Sequence, residues 1–224
     1  MLSGLGWTLS TALFACLMAL VLGLTVGILH TTPNKWAVRL TNTYIELFRN
    51  IPLLVQMFLW YFVVPEILPT AIGQWIKSSH NSSFITAVVA LGFYTSARIA
   101  IQVSAGITTL PKGQAMAATA LGLSLPQTYR YVLMPMALRV ILPPLTSEFI
   151  GVIKNSAVAL TIGLMELTAR ARSMAEFSYQ TFEAFTAATI LYILVNFLVV
   201  KLMWFVEKKF AIPGSMAVVI AEKK

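Results

Sequence analysis

In the run "GFYTSARIAIQ", Tyr94, Arg98 and Gln102 recur at i, i+4 and i+8, so one face of any helix containing them carries all three. The arginine is the chemically loaded member. A planar guanidinium donates two parallel hydrogen bonds to a carboxylate and keeps its charge in any protein environment. Two roles are open to Arg98: holding an anionic ligand, or tying helices together through backbone carbonyls. A second charge stands in "IKNSAV", where Lys154 precedes Asn155 and Ser156. Lys154 has three readings: snorkelling to an interface, pairing with Glu148, or lining the same path as Arg98. Asn155, Ser156 and Asn196 add uncharged donors of the kind that also bridge membrane helices.

The elements that must position these groups are apolar. The chain has 224 residues, of which 58% are hydrophobic and 11% charged; soluble domains run at roughly 45–50% apolar and about 25% charged. A bilayer core about 30 Å thick needs roughly 20 mostly apolar residues per helix. Five stretches qualify, near Trp7–Leu29, Ile51–Leu68, Phe84–Gly106, Phe149–Leu167 and Ala184–Phe205. The expected fold is therefore all-α and transmembrane, with five spans in a single domain over residues 1–224. Arg98 and Lys154 both fall within spans, where a charge costs roughly 2.5–3.5 kcal/mol at the bilayer centre and so faces a polar interior.

Charge fixes the expected orientation. If the spans alternate, Lys35, Arg39, Arg49, Lys112, Arg130, Arg139 and the lysines of the last span and tail share one side, against Lys77, Arg170 and Arg172 on the other. The positive-inside rule then puts the N-terminus outside and the C-terminus in the cytoplasm. The net charge of +8 is accounted for in this way, without nucleic acid as a partner. No Lys or Arg precedes the first apolar run, so that run reads as a retained helix, not a cleaved signal. Trp7, Trp36, Trp75 and Trp204 lie near span ends, as an aromatic belt predicts, although Trp60 does not.

Several chemistries are disfavoured. Cys16 is the single cysteine, and His30 and His80 stand in separate loops with no further ligands at metal spacing. No G-x-x-x-x-G-K-[ST] loop or catalytic constellation occurs, so the chain is not expected to be an enzyme or to hold a cofactor. All eight acids are glutamates placed by this reading in loops or near span ends, which disfavours coupling to a proton or sodium gradient.

The largest segment between spans, residues 107–148, contains "GQAMAATALGLSLPQTYRYVLMP". Gln114 to Leu121 favour a helix, Gly122 suits a left-handed stop, and Ser124 with Gln127 has capping-box spacing, Pro126 following in the first turn. Gln114, Met116, Ala117, Ala118, Leu121, Gly122 and Leu123 form a nearly chargeless, small-residue surface. Helices that lie on membrane lipid usually carry Lys or Arg on a polar face, and this one has none between Gln114 and Pro126. Docking into another protein's groove is the favoured use and contact with lipid the alternative.

This segment resembles the "EAA" loop of the permease subunits of ATP-binding-cassette importers, with Gly122 as the motif glycine and Pro135 as the later proline. Met116 replaces the glutamate that names the motif. "ELFRNIPLLVQ" at 46–56, "LPPLTSEF" and "KNSAVALTIGLMELTARARSMAEF" are similar to polar amino-acid permeases of this group, especially glutamate/aspartate subunits. The resemblance implies a type I importer permease fold in the bacterial inner membrane. It also implies ATPase subunits that bind ATP and magnesium, a second permease subunit, identical or homologous, and a periplasmic amino-acid-binding protein. A membrane scaffold that recruits a cytoplasmic partner, and a secondary amino-acid carrier, are the competing readings.

Overall fold

The computed structural model describes residues 1–210; the tail that follows, including its "MAVVIA" patch, lies outside the described residues. The described chain is helical: α1 (Leu2–His30), α2 (Lys35–Asn50), α3 (Leu53–Ile67), α4 (Thr70–Ser78), α5 (Ser82–Thr108), α6 (Lys112–Ala120), α7 (Leu125–Ile162), α8 (Leu167–Ser178) and α9 (Thr181–Phe210). Four of these, α1, α5, α7 and α9, are long and apolar enough to cross a membrane alone, and the bent pair α2 and α3 brings the number to five when it is counted as one span. The spans expected at Trp7–Leu29, Phe84–Gly106 and Ala184–Phe205 lie inside α1, α5 and α9.

The helix α1 owes its place to small residues. Its buried positions are Gly4, Thr8, Thr11, Ala12, Ala15, Ala19, Gly23 and Gly27, a stripe with near-fourfold spacing that lets α5 approach closely along its length. A Cβ at Gly27 would lie 2.6 Å from Val103 Cβ and 2.7 Å from the Ala100 carbonyl oxygen. Gly27→Val is therefore expected to destabilise the fold by about 1–3 kcal/mol through overpacking. Thermal unfolding in detergent measures this; Gly6→Ala, where an added Cβ meets nothing within 4 Å, is the neutral control.

Two spans depart from the sequence expectation. The second begins at Lys35 instead of Ile51, and its two arms meet at 101°. Lys35, Arg39, Glu46 and Arg49 make residues 35–50 look like a loop on average hydropathy, but helical spacing gathers them on one exposed face while Thr41 and Ile45 are buried. Asn34 caps the helix, accepting from the Trp36 and Ala37 backbone N–H groups. Pro52 forces Ile51 into the extended region and so ends α2. The buried Gln56 then stitches the corner, donating from Nε2 to the carbonyls of Phe48 at 2.7 Å and Ile51 at 2.9 Å. The Phe93 ring of α5 is sandwiched between Phe48 of α2 and Trp60 of α3, with both centroid separations 4.9 Å. An aromatic clamp of this kind holds both arms of the elbow against one helix.

The fourth span starts at Leu125, not Phe149, and ends at Ile162, where Gly163 turns the chain with φ +84°. Pro143 and Pro144 lie inside the helix. Consecutive prolines read as a break in sequence, but within a bundle the freed carbonyls find other donors and the helix continues. A π-helical turn at Tyr129–Leu133 precedes Pro135, and a 3₁₀ turn at Ser156–Ile162 closes the helix. Glu166 is fully buried and caps α8, accepting from the Thr168 and Ala169 N–H groups and from the Tyr192 hydroxyl.

Candidate functional site

Antiparallel packing of α5 on α7 brings residues 50 apart into contact. Arg98 Nε donates to Glu148 Oε2 at 2.8 Å, and Gln102 Nε2 donates to Glu148 Oε1 at 2.7 Å. The two exposures differ and decide the chemistry: the Glu148 side chain is 8% exposed, whereas that of Arg98 is 48% exposed. Glu148 therefore acts from the protein side as an anchor, taking the Nε–H of a guanidinium whose side chain stays half exposed. Tyr94 flanks the group, with its ring centroid 6.0 Å from the Arg98 Cζ. Gln102 Oε1 is buried without a partner among the described residues.

Glu148 corrects two expectations. It is not a loop acid but lies within α7, buried, and it pairs with Arg98 instead of Lys154. The expectation that all acids sit in loops or near span ends therefore fails for this residue. Sequence reasoning missed it because the apolar window begins at Phe149, well inside a helix that runs from Leu125; the signal available was an acid set between prolines and an apolar run in "LPPLTSEF".

Lys154 is exposed and forms no ion pair among the described residues. It lies six residues beyond Glu148 on α7, or about 9 Å along the axis at 1.5 Å per residue. Asn155 is partly buried beside it. Ser156 is fully buried and donates to the Ile153 carbonyl at 2.7 Å, so its hydroxyl is spent inside its own helix and unavailable to a ligand.

The second candidate region is α6. Ala118 is buried and Gln114 partly so, while Met116 is 70% and Leu121 82% exposed, with Ala117 exposed between them. Gly122 has φ +80°, and the Gly122 and Leu123 N–H groups close back on the Thr119 and Ala118 carbonyls at 2.9 and 3.1 Å. These paired bonds form the Schellman stop that glycine favours. After it, Gln127 Oε1 accepts from the Ser124 N–H at 2.8 Å, opening α7. Tyr129 in the π-turn donates to the Thr31 carbonyl at 2.9 Å, joining the base of α7 to the end of α1. An apolar knob is thus fixed rigidly to the spans at the end of the bundle rich in Lys and Arg.

Such a chain carries polar groups within its apolar bundle and an exposed apolar helix end outside it: the class it defines is the membrane permease. The chain belongs to the family of binding-protein-dependent transport system inner membrane components, whose model matches residues 5–212. It is 46% identical over 217 residues to the glutamate/aspartate import permease protein GltJ of Escherichia coli strain K12, covering 96% of this chain and 88% of that protein. The probable amino-acid ABC transporter permease protein PatM of Vibrio harveyi is 33% identical over 192 residues, 86% of this chain and 83% of PatM. Among solved structures, an amino acid ABC transporter crystallised with histidines superposes with a TM-score of 0.78 at 30% identity, covering 93% of this chain and 92% of that one. The MetNI methionine ABC transporter, inward facing, reaches 0.79 at 21% identity, with coverage of 94% and 96%, and so shares the fold. This multi-pass membrane chain is thus an ATP-binding-cassette permease subunit and not an enzyme; ATP hydrolysis belongs to a partner ATPase.

Proposed function

We propose that this chain moves acidic amino acids, glutamate and aspartate, across a bacterial inner membrane, with the Lys- and Arg-rich end in the cytoplasm and the N-terminus outside. A second permease subunit completes the path, two ATPase subunits bind ATP and magnesium, and a periplasmic binding protein delivers cargo. Met116, Ala117, Leu121 and Gly122 dock in the ATPase groove, with Gln114, Ala118 and Leu123 supporting them. The observation that carries the substrate assignment is the Arg98 side chain, half exposed and held through Nε by buried Glu148. That geometry suits a carboxylate arriving from the open side. Tyr94 and Gln102 border this position, and Lys154 and Asn155 lie along α7 on the outward approach.

The test is ATP-driven uptake of radiolabelled glutamate into proteoliposomes holding this chain with its partner subunits and binding protein. Arg98→Ala is expected to lose uptake while stimulation of the ATPase by the binding protein persists, and Arg98→Lys, with charge but no planar fork, to recover only part of it. Normal uptake by Arg98→Ala would reduce the residue to helix packing.

A further inference from the structure

The polar face of α2 is not used by the function as read so far. Asn42, Glu46 and Arg49 recur at i, i+4 and i+7, and all three are exposed. They line an open cavity of about 320 Å³ bordered on its other side by Ser104 and Thr108 of α5, with His30 at the end of α1. Volumes from about 300 Å³ upward accommodate small-molecule ligands. Ser104 lies six residues beyond Arg98 on the same helix, so the cavity opens roughly 9 Å toward the basic end. It shares Asn42 and Glu46 with a further space of about 490 Å³ that runs past Arg39 and Lys35.

Glu46 and Arg49 are opposite charges one helical turn apart. Such neighbours commonly pair, but among the described residues they form no ion pair with each other or with any other group. His30 spends its Nδ1 on the Thr41 hydroxyl at 3.1 Å. The cavity therefore presents one free cation and one free anion, with amide and hydroxyl groups around them. That pattern matches the head group common to all free amino acids, a carboxylate beside an ammonium.

We propose that this cavity is a second, release-side site that binds the zwitterionic head group of the cargo, Arg49 taking the α-carboxylate and Glu46 the α-ammonium. The proposal rests on the amino-acid transport reading above but not on which amino acid is carried. In this scheme Arg98 recognises the anionic side chain, and the α2 site receives the amino acid on its way out, whatever its side chain.

Equilibrium binding of labelled glutamate to the purified full complex, without binding protein, tests it. Wild type is expected to bind two glutamates per copy of this chain. Glu46→Gln combined with Arg49→Gln should weaken one class at least about tenfold, the scale of one lost charged hydrogen bond, and spare the other. Arg98→Ala should do the reverse. Glutarate, which lacks the ammonium, should compete at the Arg98 class only. The single change Glu46→Gln, at an exposed position, supplies the same readout with less disturbance to the helix. A wild-type complex that binds one glutamate, lost in Arg98→Ala and kept in the double variant, or a double variant that still binds two with unchanged affinities, overturns the release-side site. Loss of both classes in Arg98→Ala alone assigns all binding to the first site and overturns the second, whereas two intact classes in Arg98→Ala refute the Arg98 reading and leave the α2 site standing.

Discussion

Glu148→Leu is expected to leave the chain in the membrane but reduce glutamate uptake by roughly 30-fold. Without Glu148 the guanidinium loses its set direction and with it about one charged hydrogen bond to the cargo carboxylate, about 2 kcal/mol, which is that factor; separately, the charge left unpaired lowers thermal stability. Both Glu148 oxygens are engaged, so the substitution also frees Gln102 and releases the guanidinium from its set direction. Glu148→Gln keeps an acceptor and should fall between. The decisive comparison is the double change Arg98→Met with Glu148→Leu. Deleting both charges removes the unpaired group, so thermal stability should recover above that of Glu148→Leu, and uptake should not. Recovery of uptake along with stability would mean that the pair serves packing alone.

Gly122→Asp acts at the other end of the machine. The backbone there is left-handed at φ +80°, and an added Cβ would meet nothing within 4 Å. The fold consequently bears only the conformational cost of a non-glycine residue, about 1–2 kcal/mol. The carboxylate, however, arrives beside Leu121 on a surface read as entering a protein groove, where an unpaired charge is strongly disfavoured. The expected result is normal membrane insertion with ATP hydrolysis uncoupled from uptake. Gly122→Asn tolerates the same backbone without the charge and should retain most coupling. Equal coupled uptake in the Asp variant and wild type would remove Gly122 from the docking surface.

These two sites were not equally visible in the sequence. Gly122 announces itself locally, because a helix former, a glycine and a capping pair are all within one short segment and need no other part of the chain. The Tyr94, Arg98 and Gln102 stripe was visible for the same reason: helical spacing alone puts its members on one face. Glu148 was not, since its role depends on α5 and α7 lying antiparallel, a long-range fact that no window of residues contains. The elbow between α2 and α3 failed differently. Four charged residues lowered the average hydropathy of 35–50, and averaging discards the phase that separates the buried face, with Thr41 and Ile45, from the polar one. A window tuned to helical periodicity would have kept that phase, and with it Glu46 and Arg49. Pro143 and Pro144, breakers by local rule, lie inside α7 all the same.

The 50-residue separation of Arg98 and Glu148 also has a meaning in time. A chain emerges at roughly 5–20 residues per second, so Arg98 precedes its carboxylate by roughly 3–10 seconds. Throughout that interval α5 carries an unpaired cation, while α1, already made, offers it a stripe of small residues without a carboxylate. Order of synthesis thus makes the gap between the third and fourth spans the moment when the nascent protein is least able to keep that segment across the bilayer.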